Sequence, residues 1–240
     1  MRYSNAKRSL AGISLVLSLT AIVGCSHNVM TTANNSQSDL TTQTQPKTQA
    51  VTMDQLSQAQ IKDLQYLCEE EKLARDVYAV LFDKWQIQAF SNIGSTENRH
   101  IISVQDLAKK YGVPLNDALA AGKFNNAELQ QAYNDLTAKG LQSPEAALKV
   151  GAYIEELDIN DINKMTNEAL PTDIRQTFDW LNMGSRNHLR GFVRSMQNQS
   201  MTYQPQLLTQ AEYEAIINSP QERGGQGQGG GHGQGQRHAY

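Results

Sequence analysis

The chain has 240 residues, of which 39% are hydrophobic and 19% are charged, and its formal net charge is −3. This size accommodates one medium domain with terminal extensions. The slightly negative charge, without any cluster of lysine or arginine, excludes the basic surface that binds nucleic acids. We therefore expect no nucleic-acid partner.

The N-terminal segment, residues 1–24, has the pattern of a bacterial export signal. Basic residues precede the apolar run LAGISLVLSLTAIVG, which is too short to span a bilayer comfortably. The run ends in Ile-Val-Gly-Cys at residues 22–25, which resembles the lipobox of bacterial lipoproteins, with isoleucine in place of the usual leucine. We predict a cell-envelope protein anchored to the membrane through lipidated Cys25. Ser26 favours the outer membrane where the host has one, and the alternative is an ordinary cleaved signal peptide.

Two low-complexity segments flank the remaining domain. Residues 25–52 are rich in Ser, Thr, Asn and Gln without apolar periodicity, which indicates a disordered tether. Residues 219–240 form a Gly/Gln-rich tail that cannot bury a core. The domain therefore covers about residues 53–218. With Cys25 lipidated, Cys68 is the one cysteine left, so we expect no internal disulfide and interpret Cys68 as a buried thiol.

The domain is predicted to be all-α, because apolar residues recur at helical spacing in four long segments and strand-like alternation is absent. The predicted helices cover about residues 54–85, 89–111, 143–164 and 171–197. The first two are joined by a short link and should be antiparallel neighbours. The stretch 112–142 is long enough for a crossover with its own short helix. One long crossover among four helices is the connectivity of a ferritin-like four-helix bundle.

Each predicted helix carries polar residues in the middle of its apolar stripe. At 100° per residue, these central residues are Glu71 on the first helix, Glu97 and His100 on the second, Glu155 on the third and His188 on the fourth. The neighbours Glu69 and Glu70 fall beside the stripe. Glu156 is turned about 100° away from Glu155, but the third helix has a second apolar face, so Glu156 stays an alternative.

Carboxylates that face one core need compensation, because removing one from water costs several kcal/mol and like charges repel. Protonation, a neighbouring arginine or a bound cation can offset the buried negative charge. In a metal-free core, Arg75, one turn after Glu71, is the candidate partner. Both histidines of the predicted domain, His100 and His188, lie on inner stripes. Divalent metal ions accept this mixture of carboxylate and imidazole, so the pattern predicts a metal site.

Several stretches carry a family resemblance. EKLARDVY, residues 71–78, resembles the first-helix signature of rubrerythrin-type ferritin-like proteins, and Glu97-x-x-His100 resembles their second-helix motif. Together, EEEKLARDVY, YIEELDINDI and SRNHLRGF resemble an uncharacterised prokaryotic group, the domain of unknown function 2202 family, over about residues 55–200.

The ferritin-like resemblance implies a di-iron or di-manganese site built from one Glu on each of two helices and Glu-x-x-His on the other two. Carried onto this sequence, the ligands are Glu71, Glu97 as bridging carboxylate, His100, Glu155 with Glu156 in reserve, and His188. Ser185 departs from the pattern, because a neutral hydroxyl stands where the second Glu-x-x-His has its glutamate. Our hypothesis is that Asp158, three residues after Glu155, supplies the missing carboxylate. If it does not, the site holds one ion, or holds two ions weakly.

These features lead to competing expectations. The first is a membrane-anchored protein that binds iron or manganese and performs oxygen or peroxide redox chemistry or metal handling, with no catalytic residue assigned. The sequence has no Cys-x-x-Cys pair for a rubredoxin-type iron centre, so an electron-donor protein is the expected partner, and a homodimer is kept open. The second is a metal-free envelope binding or scaffold protein, favoured by Ser185. The third is metal capture, with His232 and His238 of the tail as collectors.

Overall fold

The computed structural model describes residues 56–116 and 119–223, and these contain six α-helices and no strand. The helices are α1 (Gln58–Trp85), α2 (Gln88–Tyr111), α3 (Ala127–Gly140), α4 (Pro144–Met165), α5 (Thr172–Gln197) and α6 (Gln210–Ile217). The predicted all-α class is confirmed. The predicted signal segment, Cys25 and nearly all of the predicted tether and tail lie outside the described residues. Within the described residues, every helix is too short or too polar to cross a membrane.

Local capping groups set the helix ends. α1 begins later than the predicted residue 54, because Ser57 forms a capping box in which its side chain and that of Gln60 each accept the other's backbone N–H. α4 begins where predicted: the Ser143 hydroxyl accepts the N–H of Ala146, and Pro144 occupies the first helical position.

Helices α1, α2, α4 and α5 form the bundle. The two-residue link between α1 and α2 makes them antiparallel neighbours, as predicted. α1 is also antiparallel to α4, because Tyr78 contacts Glu155 whereas Tyr66, earlier in α1, contacts Asp161, later in α4. α2 and α4 therefore run in the same direction. The long connection between them carries α3, which confirms the predicted crossover with its short helix.

The apolar core consists of two hydrophobic clusters toward opposite ends of the bundle. The first includes Tyr78, Phe90 and Phe192, whose ring centroids lie 5.3–5.8 Å apart. The second includes Phe178 and also Cys68, which is buried and forms no disulfide. Burying a large apolar side chain contributes about 1.5–3 kcal/mol. These clusters hold the bundle rigid on both sides of a polar layer.

The sequence analysis missed α6, which packs the C-terminal part of the domain onto α5. Tyr213 and Ile216 of α6 are buried. Beyond it, Glu222 forms ion pairs with Arg186 and Arg190 of α5. The first residues of the segment predicted as a tail are therefore bound to the bundle.

Candidate metal centre

A layer of buried polar side chains crosses the bundle between the two hydrophobic clusters. Its members are Glu70 and Glu71 of α1, Glu97 and His100 of α2, Glu155 and Asp158 of α4, and His188 of α5. The carboxylates and His100 are fully buried, and His188 is 8% exposed. The five residues predicted as metal ligands all belong to this layer.

Two groups of three residues converge within the layer and share Glu97. His100 Nδ1 lies 3.1 Å from Glu71 Oε2 and 2.8 Å from Glu97 Oε2. His188 Nδ1 lies 2.8 Å from Glu97 Oε1 and 3.4 Å from Glu155 Oε2. In each group, one potential ligand atom per residue lies within 4.8 Å of the others. Glu97 thus presents one oxygen to each imidazole.

Many of these atoms approach one another without the geometry of a hydrogen bond. Within the described parts of the chain, both oxygens of Glu97, Oε1 of Glu71, Oε2 of Glu155 and Nδ1 of His188 have no hydrogen-bond partner. Buried polar atoms are rarely left in this state. Potential ligand atoms that lie within 4.8 Å of one another and make few hydrogen bonds could be held together by one cation. Carboxylate oxygen and imidazole nitrogen are suitable ligands for iron and manganese, so these residues fit such an ion.

The electrostatics of the layer show how strongly its charges interact. Burial raises the pKa of Glu71 and of Glu155 to about 7, although the neighbouring imidazoles oppose the shift. Burial would also raise the pKa of Glu97, but the charges of His188 and His100 outweigh it and hold that pKa well below its usual range. Burial lowers the pKa of His100, but Glu71 and Glu97 outweigh burial and raise it to about 10. In the absence of a bound cation, these shifts favour protonated imidazoles paired with an ionised Glu97.

Arg75 does not neutralise Glu71, which was the expectation for a metal-free core. Its Nε and Nη2 donate to Asp76 Oδ1 at 3.0 and 2.8 Å. Lys72 pairs with the other oxygen of Asp76. In residues 56–116 and 119–223, the ion pairs formed by the glutamates of the two convergent groups are with imidazoles.

Glu155 and Glu156 are both fully buried, but they face different surroundings. Glu156 accepts hydrogen bonds from the backbone N–H groups of residues 206–208 at 2.7–2.9 Å and from the hydroxyl of Tyr203. This carboxylate holds the loop before α6 and lies outside both convergent groups. Glu155 is therefore the α4 residue in position to bind a metal, and the reserve role suggested for Glu156 has no geometric basis.

The α5 side of the layer contributes His188 and a close helix approach. Ser185 is buried, and its hydroxyl donates to the backbone carbonyl of the preceding helical turn at 3.2 Å. At Gly184, an added Cβ would lie 2.6 Å from both Cε1 and Nε2 of His100, so glycine is needed for the imidazole to fit. Trp180 makes a T-shaped contact with the same ring, with centroids 4.9 Å apart. Gly184 and Trp180 together fix the position of His100.

Two residues of the layer, Glu70 and Asp158, differ from what the sequence indicated. Glu70, expected beside the stripe, is fully buried, and both of its oxygens lack a partner in the described structure. Asp158 is equally buried and unpartnered but belongs to neither convergent group. Next to the layer, Tyr78 is a fully buried aromatic residue of the first hydrophobic cluster, and its hydroxyl donates to Glu155 Oε1 at 2.6 Å. The run of glutamates at 69–71 carries no signal that separates the buried Glu70 from the partly exposed Glu69.

Comparisons with known proteins cover the whole layer. A family model described as "Uncharacterized protein domain (DUF2202)" matches residues 60–220. The "Uncharacterized protein MJ0754" of Methanocaldococcus jannaschii is 44% identical over 172 residues, which is 70% of this chain and 92% of that protein. A crystal structure of hypothetical protein MJ0754 from Methanococcus jannaschii has a TM-score of 0.68 and 42% identity, and the match covers 70% of this chain and 96% of that one. None of these descriptions assigns an activity or a ligand.

Proposed function

Because the chain belongs to the DUF2202 family, whose description assigns no activity, we propose from its geometry that it is a redox or metal-handling protein that binds two iron or manganese ions. The observation that carries the proposal is the position of Glu97, whose two oxygens face the imidazoles of His100 and His188 at 2.8 Å each. The long crossover between parallel α2 and α4 supports the resemblance to ferritin-like proteins.

The two convergent groups would each hold one ion. Glu71 and His100 would bind the first together with one oxygen of Glu97, and Glu155 and His188 would bind the second together with the other oxygen. Bound iron or manganese would supply redox chemistry toward oxygen or peroxide.

Other residues of the chain orient the ligands and keep water out. The Tyr78 hydroxyl fixes the Glu155 carboxylate, and such outer contacts raise the precision of a metal site. Trp180 holds the ring of His100. The hydrophobic clusters on both sides of the layer limit solvent access, which strengthens electrostatic interactions inside it.

We further propose that this centre acts in the cell envelope. The apolar run before Cys25 supports lipid anchoring, and Ser26 supports delivery to the outer membrane where the host has one. Electrons would come from a partner protein, since the sequence has no Cys-x-x-Cys pair. Partition of the expressed protein into detergent, and its loss from the detergent phase in Cys25→Ser, tests the anchor. Equal partition of both proteins would contradict it.

Elemental analysis of protein purified without chelator tests the metal centre. We expect close to two iron or manganese ions per chain, loss of both in Glu97→Ala, and loss of at least one in His100→Ala. Glu156→Gln is the matched control, because that residue is equally buried but faces the loop before α6, and it should retain the metal. Metal content unchanged in both Glu97→Ala and His100→Ala would refute the proposed site. Peroxide consumption by the loaded protein then tests the redox activity.

The alternative function is a metal-free envelope binding or scaffold protein, and Ser185 is the observation that favours it. That function requires each carboxylate of the layer to have its own protein partner. The pairing of Arg75 with Asp76 removes the expected partner of Glu71. A protein that is isolated without metal and does not bind added Mn²⁺ would establish the alternative.

A further inference from the structure

A second set of carboxylates lies between α1 and α4, beside the proposed centre. Glu70 and Asp158 are fully buried, and within the described residues no donor lies in hydrogen-bonding geometry with any of their four oxygens. The Tyr66 hydroxyl and the Asp161 carboxyl lie near Glu70 without completing such a bond. An unpaired buried carboxylate is costly. Neither residue belongs to the two convergent groups of the centre. The proposed two-ion centre therefore leaves this pair unexplained.

The two acids lie next to the centre. Burial raises the pKa of Asp158, and the negative charges of Glu71 and Glu70 raise it further. Burial also raises the pKa of Glu70, with Asp161 and then Glu71 as the neighbouring charges that add to the shift. The geometry agrees, because α1 and α4 are antiparallel and the contacts Tyr66–Asp161 and Tyr78–Glu155 bracket Glu70 on α1 and Asp158 on α4. Between these two contacts, Glu70 and Asp158 occupy the stretch from Asp161 to the ligands of the centre, as a row of acids.

This row reaches the protein surface along facing sides of the two helices. On α1, Asp63, Tyr66 and Glu70 follow one another at helical spacing and share a face. On α4, Asp158 and Asp161 do the same. The hydroxyl of Tyr66 donates to Asp161 Oδ2 at 3.4 Å and connects the two faces.

The outer end of the row is an open pocket of about 260 Å³. Its lining includes the carboxylates of Asp63, Asp161 and Glu168, together with Lys164. Burial and the charge of Glu168 raise the pKa of Asp63, which shows that these acids crowd one another. Lys164 pairs with Asp161 at 2.6 Å, but its side chain is 65% exposed and is free to move into solvent. Three carboxylates against one lysine leave the lining negative on balance. Negatively charged clefts concentrate cations, so this pocket attracts them.

We propose that Glu70 and Asp158 form a separate divalent-cation site, through which ions that enter at the pocket of Asp63, Asp161 and Glu168 pass to the centre. This inference rests on the proposed function, because the centre is where the ion is delivered. The site offers oxygen ligands alone, which favours hard ions such as Mn²⁺ and Fe²⁺. Without imidazole, it binds more weakly than the centre and releases its ion more readily.

The test uses the full metal-free chain and two measurements. Equilibrium dialysis with Mn²⁺ counts the ions bound per chain, and stopped-flow absorbance with Co²⁺ follows loading of the histidine-containing centre. The test variant is the double substitution Glu70→Gln and Asp158→Asn. The matched control is Glu145→Gln with Asp135→Asn, which removes two exposed carboxylates from α4 and α3.

Dialysis against saturating Mn²⁺ also fills the weaker site, which loses its ion during purification. Under these conditions we expect three Mn²⁺ ions per chain in the wild type and in the control, and two in the test variant. The Co²⁺ loading rate should fall at least tenfold in the test variant, whereas its final absorbance should equal that of the wild type. Asp161→Asn, at the outer pocket, should slow loading without changing the ion count.

An unchanged ion count and rate in the test variant would overturn the inference and would mean that the two acids are held in neutral form. Failure of the proposed function gives a different result, in which wild-type protein shows no histidine-bound Co²⁺ spectrum. If the test variant does not fold, the wild type and a variant with His100→Ala and His188→Ala decide. Three Mn²⁺ ions, of which one remains after His100→Ala and His188→Ala, support the site, and two or fewer in the wild type refute it.

Discussion

Neutralising Glu97 should abolish the thermal stabilisation that metal gives to this protein, because its carboxylate is shared by both convergent groups. A ligand that binds the folded state at 100 times its Kd stabilises that state by about 2.7 kcal/mol, so two ions contribute about 5 kcal/mol. In a domain of roughly 150–250 residues, each kcal/mol shifts Tm by about 2–4 °C. We therefore expect Mn²⁺ to raise the wild-type Tm by about 10–20 °C. In Glu97→Gln the rise should be no more than about 3 °C, since neither ion keeps its full ligand set.

The matched control is Glu156→Gln, which changes an equally buried carboxylate. Its oxygens bind the backbone N–H groups of residues 206–208, so the substitution weakens the fold rather than the centre. Loss of these charge-assisted bonds should cost about 2 kcal/mol in the metal-free protein, while the Mn²⁺-induced rise is retained. Circular-dichroism melting of protein treated with EDTA, with and without Mn²⁺, measures both effects. A wild-type-sized rise in Glu97→Gln, or its loss in Glu156→Gln, would refute the reasoning.

The metal-free protein should lose stability between pH 5 and 8, because the folded state raises the pKa of Glu71 to about 7 and thus holds a proton that the unfolded chain has already released. His100 adds a second effect, because its pKa is raised to about 10 in the folded state. The stabilisation from its protonated form is complete below the unfolded pKa near 6.5 and is lost as pH rises through about 10. Melting curves in EDTA from about pH 5 to 10 test both effects, and a constant Tm would contradict them. Gly184→Ala should lower Mn²⁺ content toward one ion per chain, because its Cβ would lie 2.6 Å from the His100 ring, whereas Gly94→Ala, with a nearest contact of 3.6 Å, should bind normally in the same elemental analysis. Tyr78→Phe should fold normally and bind Mn²⁺ about tenfold more weakly, because the carboxylate it orients loses a hydrogen bond; an unchanged titration midpoint would show that the hydroxyl plays no part.

The sequence predicted the four bundle helices because each has a wide apolar face and local stop signals. Ser143 and Pro144, for example, specify the start of α4 without help from the rest of the fold. α6 has eight residues, which is too short for a clear period, and it depends on tertiary contacts. Those contacts include the binding of Glu156 to the preceding loop, between residues about 50 positions apart in sequence. Such long-range partners cannot be read from local pattern.

The helical wheel placed Glu71, Glu97 and His100 correctly in the interior, because a polar group at the centre of an apolar stripe points inward whatever the neighbouring helices are. It failed for Glu70, which lies at the edge of the stripe. A wheel gives the direction of a side chain but not the number of helices around it, and α1 packs against both α2 and α4. Its buried sector is therefore wider than the stripe. The choice of Arg75 between Glu71 and Asp76 also depends on side-chain packing, which the wheel does not contain.

The adjacent glutamates of α4 have a practical consequence for shortened forms of this protein. Glu155 serves the interior, while Glu156 anchors the segment around residues 203–208, and Glu222 then ties the following stretch to Arg190. In a polypeptide that stopped near residue 200, the buried carboxylate of Glu156 would lose its hydrogen-bond donors. This unpaired charge would disturb α4, the helix that carries Glu155. Anyone trimming the chain for crystallisation or attaching a C-terminal label should keep everything through residue 223.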